Sequence, residues 1–466
     1  MPTHQIGRIV IGSLAAGHAA ALALIIGPVA GAQEHVITGT LLLASGASWA
    51  MLATLSAVWT EQPQRWATVP AGFMALAGAS LIAFAPKDPI LHVLGWVWPP
   101  LLLGLIAMTV MRVRRDLHSR TRVWIVYPLF VVYALSAIGA GYHTVRESFE
   151  RRMYSAPGQL VDVGGHRLHL LCVGFGSPTV VLESGLGEGA AYWGWIFDAV
   201  ARDTTVGVYD RAGRGWSDAA PTAQDGIAVA TDLHILLDGG HVSGPFVLVG
   251  HSSGAQYVRI FAGRYPEQVA GVVLLDGQPA EAFEGLPTFP AFYSMFRRVS
   301  ALLPSLARLG VGRLVSGSDS SARSARSRRD EFDELPTSLA QARASQNLGD
   351  RPLVVVTAAR DAQAGWLPLQ DRMATLSTNS SHRLVPYTHD ALVTDQTAAQ
   401  TSIRAIRDVV HAVPSEVPHR NRDAGVHRLD RVAGRAGQVV VEPVQHSVRL
   451  PSRVTRTRRP SLRIAA

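Results

Sequence analysis

Phe246-Val247-Leu248-Val249-Gly250-His251-Ser252-Ser253-Gly254 is the stretch on which the reading of this chain turns. Its first four residues have the length and apolar content of a buried strand. The stretch that follows, Ala255 to Tyr265, is helix-like. Between the two, G-x-S-x-G sets a serine on a tight strand-to-helix turn. The flanking glycines tolerate close contacts there, the hydroxyl projects from the sheet edge, and the helix N-terminus lies beneath it. Five residues of this kind also occur by chance as a glycine-rich turn. The strand before and the helix after make Ser252 a candidate nucleophile instead.

Further strand patterns lie on both sides. Thr179-Val180-Val181-Leu182 leads into the loop Glu183-Ser184-Gly185-Leu186-Gly187. Val206 to Tyr209 precedes Asp210-Arg211-Ala212-Gly213-Arg214-Gly215-Trp216-Ser217-Asp218. Val272-Val273-Leu274-Leu275 precedes Asp276, and the β-branched run Pro352 to Thr357 precedes Asp361. Tyr387-Thr388-His389-Asp390 comes last, before a helix from about Thr397 to His411.

In order and spacing, the elbow, the Asp210–Asp218 loop, Asp361 and His389 resemble the α/β-hydrolase superfamily over residues 159 to 412. The resemblance implies a Ser-His-Asp triad in the chain order Ser…Asp…His, with Ser252 as nucleophile, His389 as base and Asp361 as the acid that fixes its tautomer. It also implies an oxyanion hole from the backbone N–H groups of Leu186 and Ser253. The Asp210–Asp218 loop is then scaffold for the elbow. Two rivals stand beside these assignments. Asp276 could be the acid, though a structural role fits its position, and His382 could be the base, though it precedes the strand pattern Arg383-Leu384-Val385. Relatives that carry aspartate at the nucleophile position are haloalkane dehalogenases and epoxide hydrolases. Serine here implies an acyl-enzyme formed on an ester, thioester, amide or lactone, with no metal and no organic cofactor.

Residues 1 to 145 have a different composition. Ile9–Gly27, Val36–Val58, Trp66–Phe84, Ile90–Val110 and Val123–Tyr142 contain no Asp, Glu, Lys or Arg. Each is near the ~20 residues that cross a bilayer. Any one of them could be a buried helix of a soluble protein, but five in succession cannot share one globular core. The expected fold is an all-α transmembrane bundle of about five helices followed by an α/β-hydrolase domain. A linker at 146–158 is expected to join them, and for the long connection at about 277–351 the resemblance implies a helical cap over the active site. A rival reading makes the first stretch a signal peptide cleaved near Ala30-Gly31-Ala32; its length favours an uncleaved helix. Arg112, Arg114, Arg115, Arg120 and Arg122 crowd the loop between the fourth and fifth stretches, so that loop is expected on the cytoplasmic side and the hydrolase outside the cell membrane. Arg146, Arg151 and Arg152 count against this orientation. His18, within the first stretch, is expected to hydrogen-bond between helices, and Ala71, Ala75 and Ala79 to allow close helix packing.

The chain has 466 residues, a net charge of +8 and a single cysteine, Cys172, so it can form no internal disulfide. Lys87 is the only lysine. Residues 413–466 hold eleven arginines against Glu416, Asp423, Asp430 and Glu442, so much of the basic balance belongs to a tail expected to be disordered. Nucleic acid is not an expected partner; anionic lipid or surface polymer suits such a tail better, and the leading reading gives it no function. Within the cap, Leu286 to Leu314 is rich in Phe289, Phe292, Met295 and Phe296, which suits an apolar lid and a hydrophobic acyl substrate, and equally the packing of the cap's own core. Ser316 to Arg329 reads as a mobile loop. Other function classes compatible with the pattern are a non-catalytic binding or sensor module on the same fold, or a transporter with an appended hydrolase domain. The intact Ser/Asp/His order counts against the first, and uncharged helix interiors count against the second.

Overall fold

The computed structural model describes residues 2–311 and 321–413. Five long helices come first: α1 (Pro2–Ile26), α2 (Glu34–Trp59), α3 (Thr68–Phe84), α4 (Asp88–Asp116) and α5 (Tyr127–Met153). All five are long and apolar enough to cross a membrane. Small residues set the spacing of α2 against α3. A Cβ built at Gly46 would lie 2.9 Å from the Ala75 nitrogen and 3.0 Å from the Ala71 oxygen, so the two backbones are in direct contact. Buried Trp49 stacks on Phe130 with ring centroids 5.7 Å apart, linking α2 to α5. The His18 ring bonds the Leu14 carbonyl through Nδ1 and lies 3.4 Å from the Tyr133 hydroxyl through Nε2, which gives α1 a polar contact with α5.

The fifth helix does not stop where its apolar run stops. It continues to Met153, so most of the expected linker at 146–158 is helix, supported by an i,i+4 pair between Arg146 and Glu150 at 3.4 Å.

An eight-stranded sheet follows, in the order β1-β2-β4-β3-β5-β6-β7-β8. Only β2 (Arg167–Val173) runs antiparallel, to both of its neighbours β1 (Gln159–Asp162) and β4 (Val206–Asp210), and β3 (Thr179–Glu183), β4, β5 (Phe246–His251), β6 (Val269–Leu275), β7 (Leu353–Ala358) and β8 (Ser380–Val385) are parallel. Residues of β3, β4, β5 and β7 are buried throughout, as expected of strands covered on both faces. One face packs on α7 (Gly226–Gly239) and α8 (Gly254–Arg264), through Leu233, Leu236, Val258 and Phe261. The other packs on α6 (Gly194–Val200) and the final helix (Gln396–Ala412), through Ile196, Phe197, Ile403 and Ile406.

Between β6 and β7 lies the cap, with α9 (Ala282–Gly285), α10 (Phe289–Ser300), α11 (Leu303–Arg308), α12 (Ala322–Asp333) and α13 (Leu335–Ala344). The region read as a mobile loop is partly α12. Its Ser321 side chain accepts the Ser324 N–H at the helix start, and Arg329, Glu331 and Phe332 are buried. Tertiary pairing overrides the Ser/Arg-rich composition there. Residues 316–320 of that expected loop, and the expected basic tail beyond Val413, fall outside the described residues.

Candidate active site

Ser252 stands between β5 and α8 with φ at +53°, a left-handed conformation uncommon for any residue but glycine. The elbow is fixed from both sides. The Ser252 N–H donates to the Leu275 carbonyl at 3.1 Å, and its carbonyl accepts the Gln278 N–H at 2.8 Å. Glycine is required at the two flanking positions by contact. A Cβ at Gly250 would sit 2.7 Å from the Gly254 backbone, and one at Gly254 would sit 2.4 Å from the Glu183 carbonyl oxygen. Gly185 brings the loop after β3 against the elbow, since a Cβ there would be 3.0 Å from the Ser252 Cβ. The elbow and the Leu186 loop are thus adjacent, as expected. Neither the Leu186 nor the Ser253 N–H donates to an acceptor among the described residues. Two free donors flanking a serine are what a developing oxyanion needs.

His389 lies on the loop after β8, but its carboxylate partner is not the one expected. Nδ1 of His389 is 2.6 Å from Oδ2 of Asp276. Asp361 instead accepts the backbone N–H of His389, at 3.2 and 3.3 Å to its two oxygens. Asp361 therefore holds the histidine's main chain, and Asp276 holds its ring. The cause lies in strand order. β6 is the immediate neighbour of the nucleophile strand β5, while β7 is one strand further out. Asp276, directly after β6, also has a positive φ of +44°, and its Oδ1 accepts the Ala358 N–H at 3.1 Å and the Trp366 indole N–H at 2.8 Å. Burial alone would lower the His389 pKa, but the hydrogen bond and charge of Asp276, with added contributions from Asp390 and Glu188, hold it above the usual histidine range. The Ser252 hydroxyl makes no hydrogen bond among the described residues. His382 is spent elsewhere, bonded to Asp371 at 2.7 Å and to the Thr357 hydroxyl at 2.8 Å on the outer strand.

Two features were not anticipated from sequence. The first is His251, the residue before the serine. Fully buried, it faces the His389 ring at 4.7 Å between centroids and meets the Glu188 carboxylate through Nδ1 at 3.0 Å. Glu188 also accepts the Gly185 N–H at 2.7 Å, so it braces the Leu186 loop. The second is a buried ionic cluster behind that loop. Arg211 pairs with Glu183 and with Glu331 of α12 at 2.5 Å, and donates to the carbonyls of Ser184 and Gly185, both at 2.6 Å. Arg214 bonds the other Glu331 oxygen at 2.6 Å. Burial would raise the Glu331 pKa, but the two guanidinium groups win and hold it below the usual carboxylate range. The Asp210–Asp218 loop, expected as scaffold for the elbow, braces the Leu186 loop. Asp210 accepts N–H groups of Ala190 and Trp216 and bonds the His169 ring at 2.8 Å, while Arg211 fastens the Leu186 loop to the cap.

Residues 178–361 match the family model of the α/β hydrolase fold. Among curated proteins, the chain is 30% identical over 174 residues to an uncharacterized protein of Schizosaccharomyces pombe, covering 31% of this chain and 32% of that one. It is 26% identical over 149 residues to a protein of Hormonema carpetanum named a probable transporter, covering 30% and 21%. The chain thus spans about a third or less of these relatives' lengths. Among solved structures, a thermophilic esterase from Thermogutta terrifontis aligns with a TM-score of 0.41 at 21% identity, covering 53% of this chain and 94% of that one. The family match over residues 178–361, the strand order and the serine elbow give this chain an α/β-hydrolase fold behind five long apolar helices.

Proposed function

We propose that the chain is a membrane-anchored serine hydrolase that cleaves a carboxylic ester or related acyl bond through an acyl-enzyme at Ser252. His389 takes the Ser252 proton, and Asp276 orients the imidazole and stabilises the imidazolium that forms. The N–H groups of Leu186 and Ser253 receive the tetrahedral oxyanion, and His389 returns its proton to the leaving group. Water then attacks the acyl-enzyme with His389 again as base, and serine and acid are released. The observation that carries this reading is the 2.6 Å bond from His389 Nδ1 to a buried carboxylate beside a left-handed serine. It leaves Nε2 as the free basic nitrogen.

The anchor is the run of five helices, whose outward faces carry exposed Leu76, Trp124 and Leu135. Spans of this length with no charged residue at mid-helix support a holding role over transport. The arginine-rich 112–122 loop supports placing the hydrolase outside the cell. A fluorophosphonate probe should label wild-type protein at Ser252, and Ser252→Ala should lose both labelling and ester hydrolysis. Near-wild-type turnover in the alanine variant would sink the reading.

A further inference from the structure

The cap does not stand clear of the apolar helices. Glu34, the first residue of α2, pairs with Arg308 of α11 and with Arg326 of α12 at 3.0 Å. Asp88, the first residue of α4, lies 2.6 Å from Arg326 and 3.7 Å from Arg308. Thr38, one turn into α2, shares a hydrogen bond of 2.8 Å with Ser305. The turn at Leu309-Gly310 lies backbone to backbone against Gly139 of α5, where an added Cβ would be 2.2 Å from the Leu309 oxygen. Gly139 precedes Arg146, the first cationic residue at that end of α5, by seven residues. At 1.5 Å per residue that is about 10 Å of helix towards the middle of the span. This edge of the cap therefore reaches below the level at which α5 turns polar.

The same edge is apolar and uncovered. On α10, Phe292, Met295 and Val299 follow helical spacing and are 46%, 60% and 50% exposed, and Leu306, Leu309 and Val311 continue the surface. Arg298, next to Val299 and bordering this row, is exposed. An apolar row with cationic flanks is the pattern of a helix lying in a membrane interface. Behind the row the packing stays apolar. Phe292 stacks on Phe296, Phe296 and Tyr293 meet Phe332, and Leu186 packs on this cluster beside Ser252.

We propose that the α10–α11 edge of the cap is seated in the bilayer, in the leaflet at the Glu34 and Asp88 ends of the helices. The acyl chain of a membrane lipid would then pass from that leaflet along the cap aromatics to Leu186 without crossing water. This inference rests on the reading of α1–α5 as membrane spans, and it narrows the substrate to lipids resident in the membrane.

Single cysteines at Met295, Leu135 and Phe175, in the full chain with Cys172→Ser, provide the test. Each is labelled with an environment-sensitive fluorophore and reconstituted into phosphatidylcholine vesicles carrying doxyl quenchers on the acyl chain. Leu135 reports the mid-span, and Phe175, 96% exposed in the loop before β3, reports the end of the strands opposite the elbow. Quenching at Met295 and Leu135 with none at Phe175 is expected. Quenching at Leu135 but not Met295 overturns the proposal, and efficient cross-linking between two Met295→Cys copies would then assign the row to a second copy of the chain. No quenching at Leu135 overturns the spanning reading and this inference with it. In parallel, the double variant Met295→Glu, Val299→Glu should hydrolyse a vesicle-borne long-chain ester about tenfold more slowly while leaving a short water-soluble ester unaffected. An equal effect on both esters, or no effect on either, contradicts the proposal.

Discussion

Replacing Asp276 by asparagine tests the site most directly, because the change is isosteric and the three bonds of the carboxylate are known. Asparagine can still offer its oxygen to the Ala358 N–H and the Trp366 indole N–H, which now contact Oδ1 at 3.1 and 2.8 Å. Its NH2 group then faces Nδ1 of His389, where Oδ2 now lies at 2.6 Å. An NH2 donor there requires Nδ1 to accept, which places the ring proton on Nε2. The imidazole is held in the tautomer that cannot take the Ser252 proton. The loss expected from a wrong tautomer is about 10⁴ in kcat, or roughly 5.5 kcal/mol of transition-state stabilisation. Asp361→Asn differs in kind. The asparagine oxygen can still accept the His389 N–H that Asp361 accepts at 3.2 Å, so less than about a tenfold loss is expected. The assay is kcat/KM on a soluble p-nitrophenyl ester for both variants, together with fluorophosphonate labelling rates and thermal melts to confirm folding. If folded Asp276→Asn stays within tenfold of wild type while Asp361→Asn loses several orders of magnitude, Asp361 is the acid and the ring contact is incidental.

The pH profile follows from the same contact. His389 must be neutral to act as base, and its pKa is held above the ordinary value of 6.5, so kcat/KM should rise with pH through a midpoint above 6.5. Glu188→Gln, which removes one of the negative charges that raise it, should move that midpoint to lower pH; an unchanged or higher midpoint would exclude Glu188 from the site's electrostatics. In the buried cluster, Glu331→Ala leaves Arg211 and Arg214 without their shared carboxylate, so a loss of about 3–5 kcal/mol in a denaturant titration is expected. A change below 1 kcal/mol would mean that water replaces Glu331 easily. For orientation, fusions after Gln159 should give active alkaline phosphatase and dark green fluorescent protein, and the reverse would put the active site in the cytoplasm.

The local patterns were legible in the sequence because each rests on short-range chemistry. Ser252 with its two glycines, the strands on either side, and five apolar runs of membrane-spanning length needed no partner to be recognised. His389 was legible because it falls on the one loop between the last strand and the last helix. The acid was not. Asp276 and Asp361 both follow strands, and both satisfy the order Ser…Asp…His, so spacing along the chain does not distinguish them. What separates them is which strand lies beside β5, a property of hydrogen-bond pairing between segments. The Arg211–Glu331 pair and the seating of the cap on Glu34, Asp88 and Gly139 likewise join residues more than a hundred positions apart. A charge pattern records that such groups exist, but only the packed fold decides which of them share a site.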